Sequence, residues 1–566
     1  MTIALIKISC VNDRLVPLGL ACLQAYLKEH SIDVKVLNFR ATEYSLPKIA
    51  SDPLIQLKPP KFVMNHQDFP LLVMIIDTLL FRGNVNFVEG IFPDLIEDYA
   101  NRLCEPSGTT RERFESILHY IRNILLEINT DFTTVGFSID YLNVVESVIC
   151  STLLRLANPT IKIIWGGPTI TQSYESYKLW LKRGIVDGLI IGEGETPLLE
   201  IAKNGDLSKI PGVMTMKNDE KDNEIFFYSP GIQLELDSLP TPDYADLPLD
   251  TYYQIASVYR SRGCTNRCKF CAEWKLFGKR FRVRSVEKVV EDIKTIIRDH
   301  HPGYIIFGES LINDELEYFE NLCDAMVEEN FSVQFGTHFR ANITLELAKK
   351  AKKAGFNDAW IGVEALNDTD LKEMNKGTTI NQNITTITNF ATAGVNVIAM
   401  LVVGFSKIDE EEKNCSNIEG TIDYFSKFKI TNNEGNEQPL LIQWRPAPMF
   451  LVPGSLNYSE NKETTTRPWS STVISEGNEL FIQGLELELS DIPYEFDRPI
   501  PDEKIGGFMK RIQKADREAG FAIGGIAQHV ISYMVEDRRN KRSRRKEERI
   551  GVIAQRFEAK KDIKYC

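Results

Sequence analysis

Three cysteines stand close together in GCTNRCKFC, Gly263 to Cys271: Cys264, Cys268 and Cys271, at spacings of four and three. Three thiolates are one short of the four-ligand set that closes a structural zinc site, and no second Cys-x-x-Cys pair follows. His338 is the histidine that could complete such a set, and it lies at a strand end far along the chain. A cubane iron–sulfur cluster is normally held by four cysteines. Held by three, it keeps one iron with an open coordination position. A substrate-activating cluster requires that vacancy and an electron carrier avoids it. Phe270, just before the last cysteine, is placed to shield such a cluster and to pack beside a ligand.

The loop follows directly on the strand-like ASVYRS, at the carboxyl end of a β/α unit, where barrel enzymes build their sites. Five further apolar strands are expected at Tyr304–Glu309, Val333–Phe339, Asp358–Glu364, Val395–Phe405 and Leu440–Pro446. Amphipathic helices such as VEKVVEDIKTIIRDH and LELAKKAKKAG separate them. The pattern predicts six β/α units, a partial barrel over residues 251–458. Residues 459–566 read as a mainly helical domain, and the basic run Arg538–Arg549 as a solvated helix end flanked by acidic residues.

Residues 1–235 also alternate strand and helix. Ile3–Ile8, Asp33–Phe39, Thr133–Ile139, Ile161–Gly167 and Asp187–Glu195 read as strands, and Pro17–His30 as a helix with proline in its first turn. Apolar strands alternating with helices imply a parallel sheet covered on both faces. An atypical insertion, residues 42–129, interrupts the rhythm, and the Pro- and Asp-rich Leu236–Asp250 reads as a linker. Such sheets bind ligands outside the carboxyl ends of their strands. Glycine-rich turns fall there: GFS at Gly136, WGGP at Trp165 and IGEGE at Ile191.

The 566 residues are too many for one core and suggest roughly three or four domains. Sixty-six basic against 79 acidic side chains give −13, which argues against nucleic acid as the main partner. No signal peptide is expected at MTIALIKISC. The longest apolar run, Phe69–Phe81, is too short to cross a bilayer, which takes about 20 residues, and reads as a buried helix. Ten cysteines in this length do not make a disulfide scaffold, and Cys10, Cys22, Cys150 and Cys323 sit in apolar company. A reducing cytoplasm fits them.

Cys-x3-Cys-x2-Cys with an aromatic before its last cysteine, opening a β/α barrel, resembles the radical S-adenosylmethionine (SAM) superfamily. The likeness continues through FGES, WIGVEALN, MNKGTT, AGVNVIAMLVVGF and PGSLNY, from about Ser257 to Tyr458. It implies that Cys264, Cys268 and Cys271 ligate a 4Fe-4S cluster whose open iron is chelated by SAM. One electron from an external low-potential donor then yields a 5′-deoxyadenosyl radical. Gly308 and Glu309 match the Gly-Glu element that receives the methionine amino group, and Glu364 the residue near the ribose hydroxyls. Arg340, ending the third strand, would pair with the methionine carboxylate.

Upstream, the order PLGL, VGFSIDYLN, IWGGPT and VDGLIIGEGET resembles the cobalamin-binding domain of cobalamin-dependent radical SAM enzymes, over roughly residues 1–45 and 130–235. It implies cobalamin contacts at Pro17, Leu18, Ser138, Asn143, Gly166, Gly167, Gly192, Glu193, Gly194 and Glu195. None of the seven histidines stands in the Asp-x-His-x-x-Gly loop that supplies an axial ligand in many cobalamin proteins. The lower corrin face is therefore expected to lack that histidine, with SIDYLN beneath it. The implied fold is α/β: a Rossmann-like, flavodoxin-type parallel-sheet domain, a partial (β/α)6 barrel and a C-terminal helical domain that could cap the site.

The implied reaction is methyl transfer from SAM, through methylcobalamin, to an unactivated carbon of a small-molecule or peptide substrate opened by the radical. The same two domains also serve enzymes that cyclise or rearrange without net methylation. A third reading, a non-catalytic cobalamin or iron–sulfur carrier, conflicts with the open iron. Methylthiotransferases carry an extra amino-terminal cysteine trio and a small RNA-binding barrel, and neither is found here. Trp444, Arg445, Met449, Phe450 and Tyr458, near the last barrel strand, are candidates to line a substrate pocket.

Overall fold

The computed structural model describes residues 2–9, 16–40, 132–140, 143–203, 205–218, 224–277, 280–405, 407–431, 436–449, 454–461 and 502–522, with 124, 127, 128, 452, 526 and 529. The rest of the insertion, the apolar run Phe69–Phe81, the basic run Arg538–Arg549 and Phe450 lie outside the described residues.

Runs such as IALIKI and TVGF are apolar at nearly every position because both their faces are covered. They form β1 (Thr2–Ser9) and β3 (Thr134–Ser138), joined by β2 (Asp33–Arg40), β4 (Lys162–Gly166) and β5 (Gly188–Ile190). All five are parallel, in the order β2-β1-β3-β4-β5, the flavodoxin-type arrangement. The sheet then continues through two antiparallel strands, β6 (Val213–Asn218) and β7 (Glu224–Phe227). Periodicity gave no sign of this hairpin, because β7 alternates little and is largely exposed.

The barrel follows the expected count. Strands β8 (Ile255–Val258), β11 (Tyr304–Phe307), β12 (Gln334–Phe339), β13 (Phe356–Glu364), β14 (Asn396–Val403) and β17 (Ile442–Pro448) are parallel and pair in chain order. Two short antiparallel ribbons accompany them: β9 (Ser261–Arg262) with β10 (Arg282–Val283), and β15 (Lys429–Thr431) with β16 (Glu437–Pro439). Intervening helices start where side chains satisfy their free N–H groups. Ser285 caps Val286–His300, Thr344 caps Leu345–Lys353, and Thr379 with Gln382 forms a capping box on Ile380–Thr392.

The expected linker has little regular structure but is not loose: Leu236, Leu239, Tyr244, Leu247 and Leu249 are buried in the main core. The described C-terminal helix, Asp502–Glu518, lies against β17 and β14. It buries Ile505, Phe508 and Ile512 there, and Arg511 pairs with Glu412 and Glu419. It lies against β17, one of the two edge strands of the six-stranded sheet, and so helps cover an edge that would otherwise be exposed. It is not among the elements around the site cavity.

Candidate functional site

The cysteine loop leaves the end of β8 through Tyr259, Arg260 and the β9–β10 ribbon. At Gly263 the backbone takes φ +99°, a region that favours glycine, and turns into the loop. Cys264 and Cys271 are half-buried, Cys268 is buried, and all three are free thiols. The loop is stapled from outside: Lys269 N–H donates to Met374 O (2.9 Å), Asn457 N–H to Lys269 O (2.9 Å) and Asn375 Nδ2 to Arg267 O (2.8 Å). These anchors are the MNKGTT and PGSLNY stretches. Phe270 packs beside the small cluster of Ala365, Leu371 and Met374.

Burial pushes the Cys271 thiol up to about 12, with the neighbouring cysteines adding to the rise, and raises Cys264 as well. Desolvated thiols of this kind ionise when a bound cation supplies the charge. Among the described residues no group of His, Cys, Asp or Glu is gathered to hold a single metal ion. His338 instead lies within β12, its ring 5.4 Å from that of Trp360.

Beside the loop, at the end of β11, stand Gly308 and Glu309. Glu309 is 5% exposed and accepts from Arg260 N–H at 3.2 Å. The Arg260 guanidinium is fully buried, 3.8 Å from Glu309 and paired with Asp314. Burial wins over this cation and lifts the Glu309 carboxyl to about 7. Among the described residues its Oε1 has no hydrogen-bond partner. A buried acceptor without a donor is costly, so the site is suited to a ligand that donates.

A cavity of about 340 Å³ lies between the carboxyl ends of the first sheet and the residues that flank the cysteine loop, Arg262 and Gly263 before it and Glu273 after it; the three cysteines themselves are not in its lining. Its walls bring together Leu18, Ser138, Gly166, Gly167 and the Gly192–Glu195 turn from the sheet with Gly263, Gly308 and Glu309 from the barrel. Two expected residues, Pro17 and Asn143, lie outside its lining and serve the turns, and Gly192 lines it while bracing its own turn. Pro17 stands at the start of helix Leu18–Glu29. Asn143 is buried, donating to Ser138 O (3.0 Å) and accepting from Asp140 N–H (2.8 Å), so it shapes the loop after β3. The Gly192 N–H donates to Thr171 Oγ1 (3.0 Å).

Glu193 and Glu195, expected at the cofactor, line the cavity but spend their oxygens on arginines. Arg262 donates to Glu193 Oε2 (2.7 Å) and Glu195 Oε1 (2.6 Å), and Arg282 also pairs with Glu193.

Arg340 and Glu364 do not line this cavity. Glu364 ends β13 at φ +61°, beside a register shift, and pairs with Lys376 Nζ at 2.8 Å. Arg340 Nη2 lies beside Gly377. The two therefore share the Lys376–Gly377 turn. Trp444 is buried 6.5 Å from Phe425, Met449 is buried, and Arg445 bonds Gln443; none lines the cavity, nor does Tyr458.

Sequence reasoning missed Arg260, Arg262 and Glu273. Glu273 opens the short helix after Cys271, lines the cavity, and has its carboxyl raised by burial despite a hydrogen bond from Ser310. The available signal was RSR: two arginines in a strand whose neighbours are all buried must find carboxylates.

Residues 258–415 match the Radical SAM superfamily. Over 320 residues the chain is 26% identical to an uncharacterized methyltransferase of Pyrococcus horikoshii, covering 55% of this chain and 67% of that one. Over 271 residues it is 27% identical to the anaerobic magnesium-protoporphyrin IX monomethyl ester cyclase of Rubrivivax gelatinosus, covering 44% and 47%. The chain thus spans about half the length of the cyclase it matches. Among solved structures, the cobalamin-dependent S-adenosylmethionine radical enzyme OxsB, with aqua-cobalamin and S-adenosylmethionine bound, superposes with a TM-score of 0.58. That match covers 90% of this chain and 65% of OxsB at 15% identity, a likeness of fold.

Proposed function

We propose that this chain, a radical SAM protein through residues 258–415, is a cobalamin-dependent radical SAM enzyme that methylates an unactivated carbon. The observation that carries the reading is the single cavity faced by both the sheet's carboxyl ends and the flank of the cysteine loop. Cofactors that must react together need one such space.

Together, the cluster, SAM and cobalamin would supply hydrogen abstraction by a 5′-deoxyadenosyl radical and transfer of a methyl group through cobalt. The protein's own part is to bind, orient and exclude water. Cys264, Cys268 and Cys271 would hold the cluster. Glu309, fixed by Arg260 and open at Oε1, would accept the SAM ammonium. The turns at Ser138, Gly166–Gly167 and Gly192–Gly194 would seat the corrin, with Leu18, from the helix after β1, resting against Gly308. Apolar walls from Leu5, Leu20 and Leu198 keep water from a reactive radical. In this reading residues 1–235 are the corrin domain and 251–458 the radical barrel, supplied with electrons by an external donor. Among the described residues no helix is long and apolar enough to cross a membrane.

A second reading, ring formation without net methylation, draws on the match to the cyclase. One experiment separates them. The protein is reconstituted anaerobically with iron, sulfide and cobalamin and given methyl-labelled SAM. S-adenosylhomocysteine with labelled product supports methylation. Deoxyadenosine without label transfer supports cyclisation, and no SAM cleavage under strong reductant overturns both.

A further inference from the structure

We propose that Arg262 is a positioning residue that clamps the cysteine loop to the glycine-rich turn after β5, fixing the distance between the two halves of the site. The inference deepens the reading above and rests on it for the meaning of the two halves. Arg262 immediately precedes Gly263 and Cys264, so its backbone sets where the loop begins. Its side chain crosses to the other domain: Nη1 lies 2.7 Å from Glu193 Oε2 and Nη2 2.6 Å from Glu195 Oε1. The three side chains are 9%, 7% and 5% exposed. A planar guanidinium gripping two carboxylates at once has little freedom to slide or rotate.

Two supports hold Arg262 itself. Its guanidinium lies over the Tyr259 ring, 5.1 Å from the centroid. Its backbone pairs with Arg282, which reaches the same Glu193 and donates to Leu234 O (2.5 Å). The Gly192–Glu195 turn is therefore tied to both strands of the ribbon that launches the cysteines. Glu195 is also the first residue of helix Glu195–Ala202, so the clamp reaches into the sheet's own packing. Buried ion pairs of this kind are weak evidence for stability but fix one arrangement over others.

The test is hydrogen–deuterium exchange on the cofactor-free full chain, comparing wild type with Arg262→Gln, Arg262→Lys, Glu195→Gln and the control Arg280→Gln. Arg280 and its partner Glu235 are 59% and 69% exposed, so that control removes an arginine just before β10 without touching the clamp. In Arg262→Gln, exchange should rise about tenfold in both 263–271 and 191–195, while the barrel helices keep their protection. Arg262→Lys, which retains one arm, should recover part of it, and Glu195→Gln should show the same paired rise in milder form. Should Arg262→Gln fail to fold, Glu195→Gln decides. Unchanged protection in the two segments, a rise in only one of them, or an equal rise in Arg280→Gln overturns the proposal. Adding cobalamin to wild type tests the underlying reading separately: no slowing anywhere overturns the corrin seat, and the cofactor-free comparison still decides the clamp.

Discussion

Leu18 and Gly308 meet across the two domains so closely that a β-carbon on Gly308 would lie 2.6 Å from Leu18 Cδ2. The first residue of the helix after β1 thus rests on the Gly-Glu element of the barrel. Because the clashing atom ends a flexible side chain, Gly308→Ala should leave the fold intact, with a loss of about 1 kcal/mol or less, and push Leu18 into the cavity. The expected outcome is a nearly unchanged thermal midpoint with weaker cobalamin binding in a spectrophotometric titration. Gly308→Val, with two more carbons to place, should lower both. Equal cobalamin affinity for Gly308→Ala and wild type would show that the contact does not border the corrin seat.

Glu309 should make cation binding depend on pH. Its carboxyl is lifted to about 7 by burial, so at pH 6 it is mostly neutral and at pH 8 mostly ionised. A protonated amino ligand needs the ionised form, so SAM affinity should rise from pH 6 to a maximum between about pH 7 and 8 and fall above it, as the ligand's own α-amino group, ordinarily about 7.7–8.0, loses its proton. The stability sign is opposite. A folded carboxyl that holds its proton more tightly than the unfolded chain contributes stability that is present below the unfolded value and lost as pH rises through about 7. Glu309→Gln should therefore flatten both curves, read by SAM titration and by denaturant unfolding at matched pH values. A SAM affinity in the variant that still climbs with pH would assign the dependence to another group.

The glycine turns should separate by what surrounds them. At Gly167, φ is +107° and a β-carbon would meet Ile139 O at 2.6 Å and Ile139 N at 2.8 Å, both backbone atoms that cannot step aside. Gly192 has φ +96° but open space around it. Gly167→Ala should cost more than 2 kcal/mol, combining left-handed strain with overpacking, and Gly192→Ala about 1 kcal/mol of strain alone. Urea unfolding measures both. The space beside Gly192 faces the cavity, so the milder variant is the one expected to weaken cobalamin binding without unfolding the sheet.

Sequence pattern made the two sheets legible because buried parallel strands leave a signal in every residue. IALIKI, YIIF and DAWIGVE can be little else. The cysteine loop was legible for a different reason: three thiols at fixed spacing have few innocent explanations. The long-range charge pairing was hidden. Arg262 and Glu195 are 67 residues apart, and which carboxylate an arginine meets depends on how two domain surfaces come together. Glu193 and Glu195 show this: the turn they occupy lines the cavity, and their side chains are also bound to arginines of the ribbon, a pairing the sequence does not reveal. Arg340 and Glu364 were placed correctly at strand ends, but the Lys376–Gly377 turn that joins them was read only as part of a resemblance.

The opposite end of the barrel should govern stability alone. Near the strands' amino ends, Asp358 accepts from Tyr304 OH, from Asn396 Nδ2 at 2.5 Å and from Ile526 N–H at 2.7 Å. Tyr304 OH also lies 3.0 Å from Phe335 O. This buried group ties four strands to the segment at Ile526, and nearby His529 Nε2 meets Tyr253 O at 2.8 Å. Side chains at this face serve packing, while chemistry belongs at the other. Tyr304→Phe removes the single O–H donor and leaves Asp358 short of a partner, at a cost of about 1–3 kcal/mol. Denaturant unfolding should show that loss with an unchanged m-value, while iron content, SAM affinity and cobalamin affinity stay at wild-type levels below the transition. A variant that keeps its stability but loses SAM binding would place part of the site at the wrong end of the barrel.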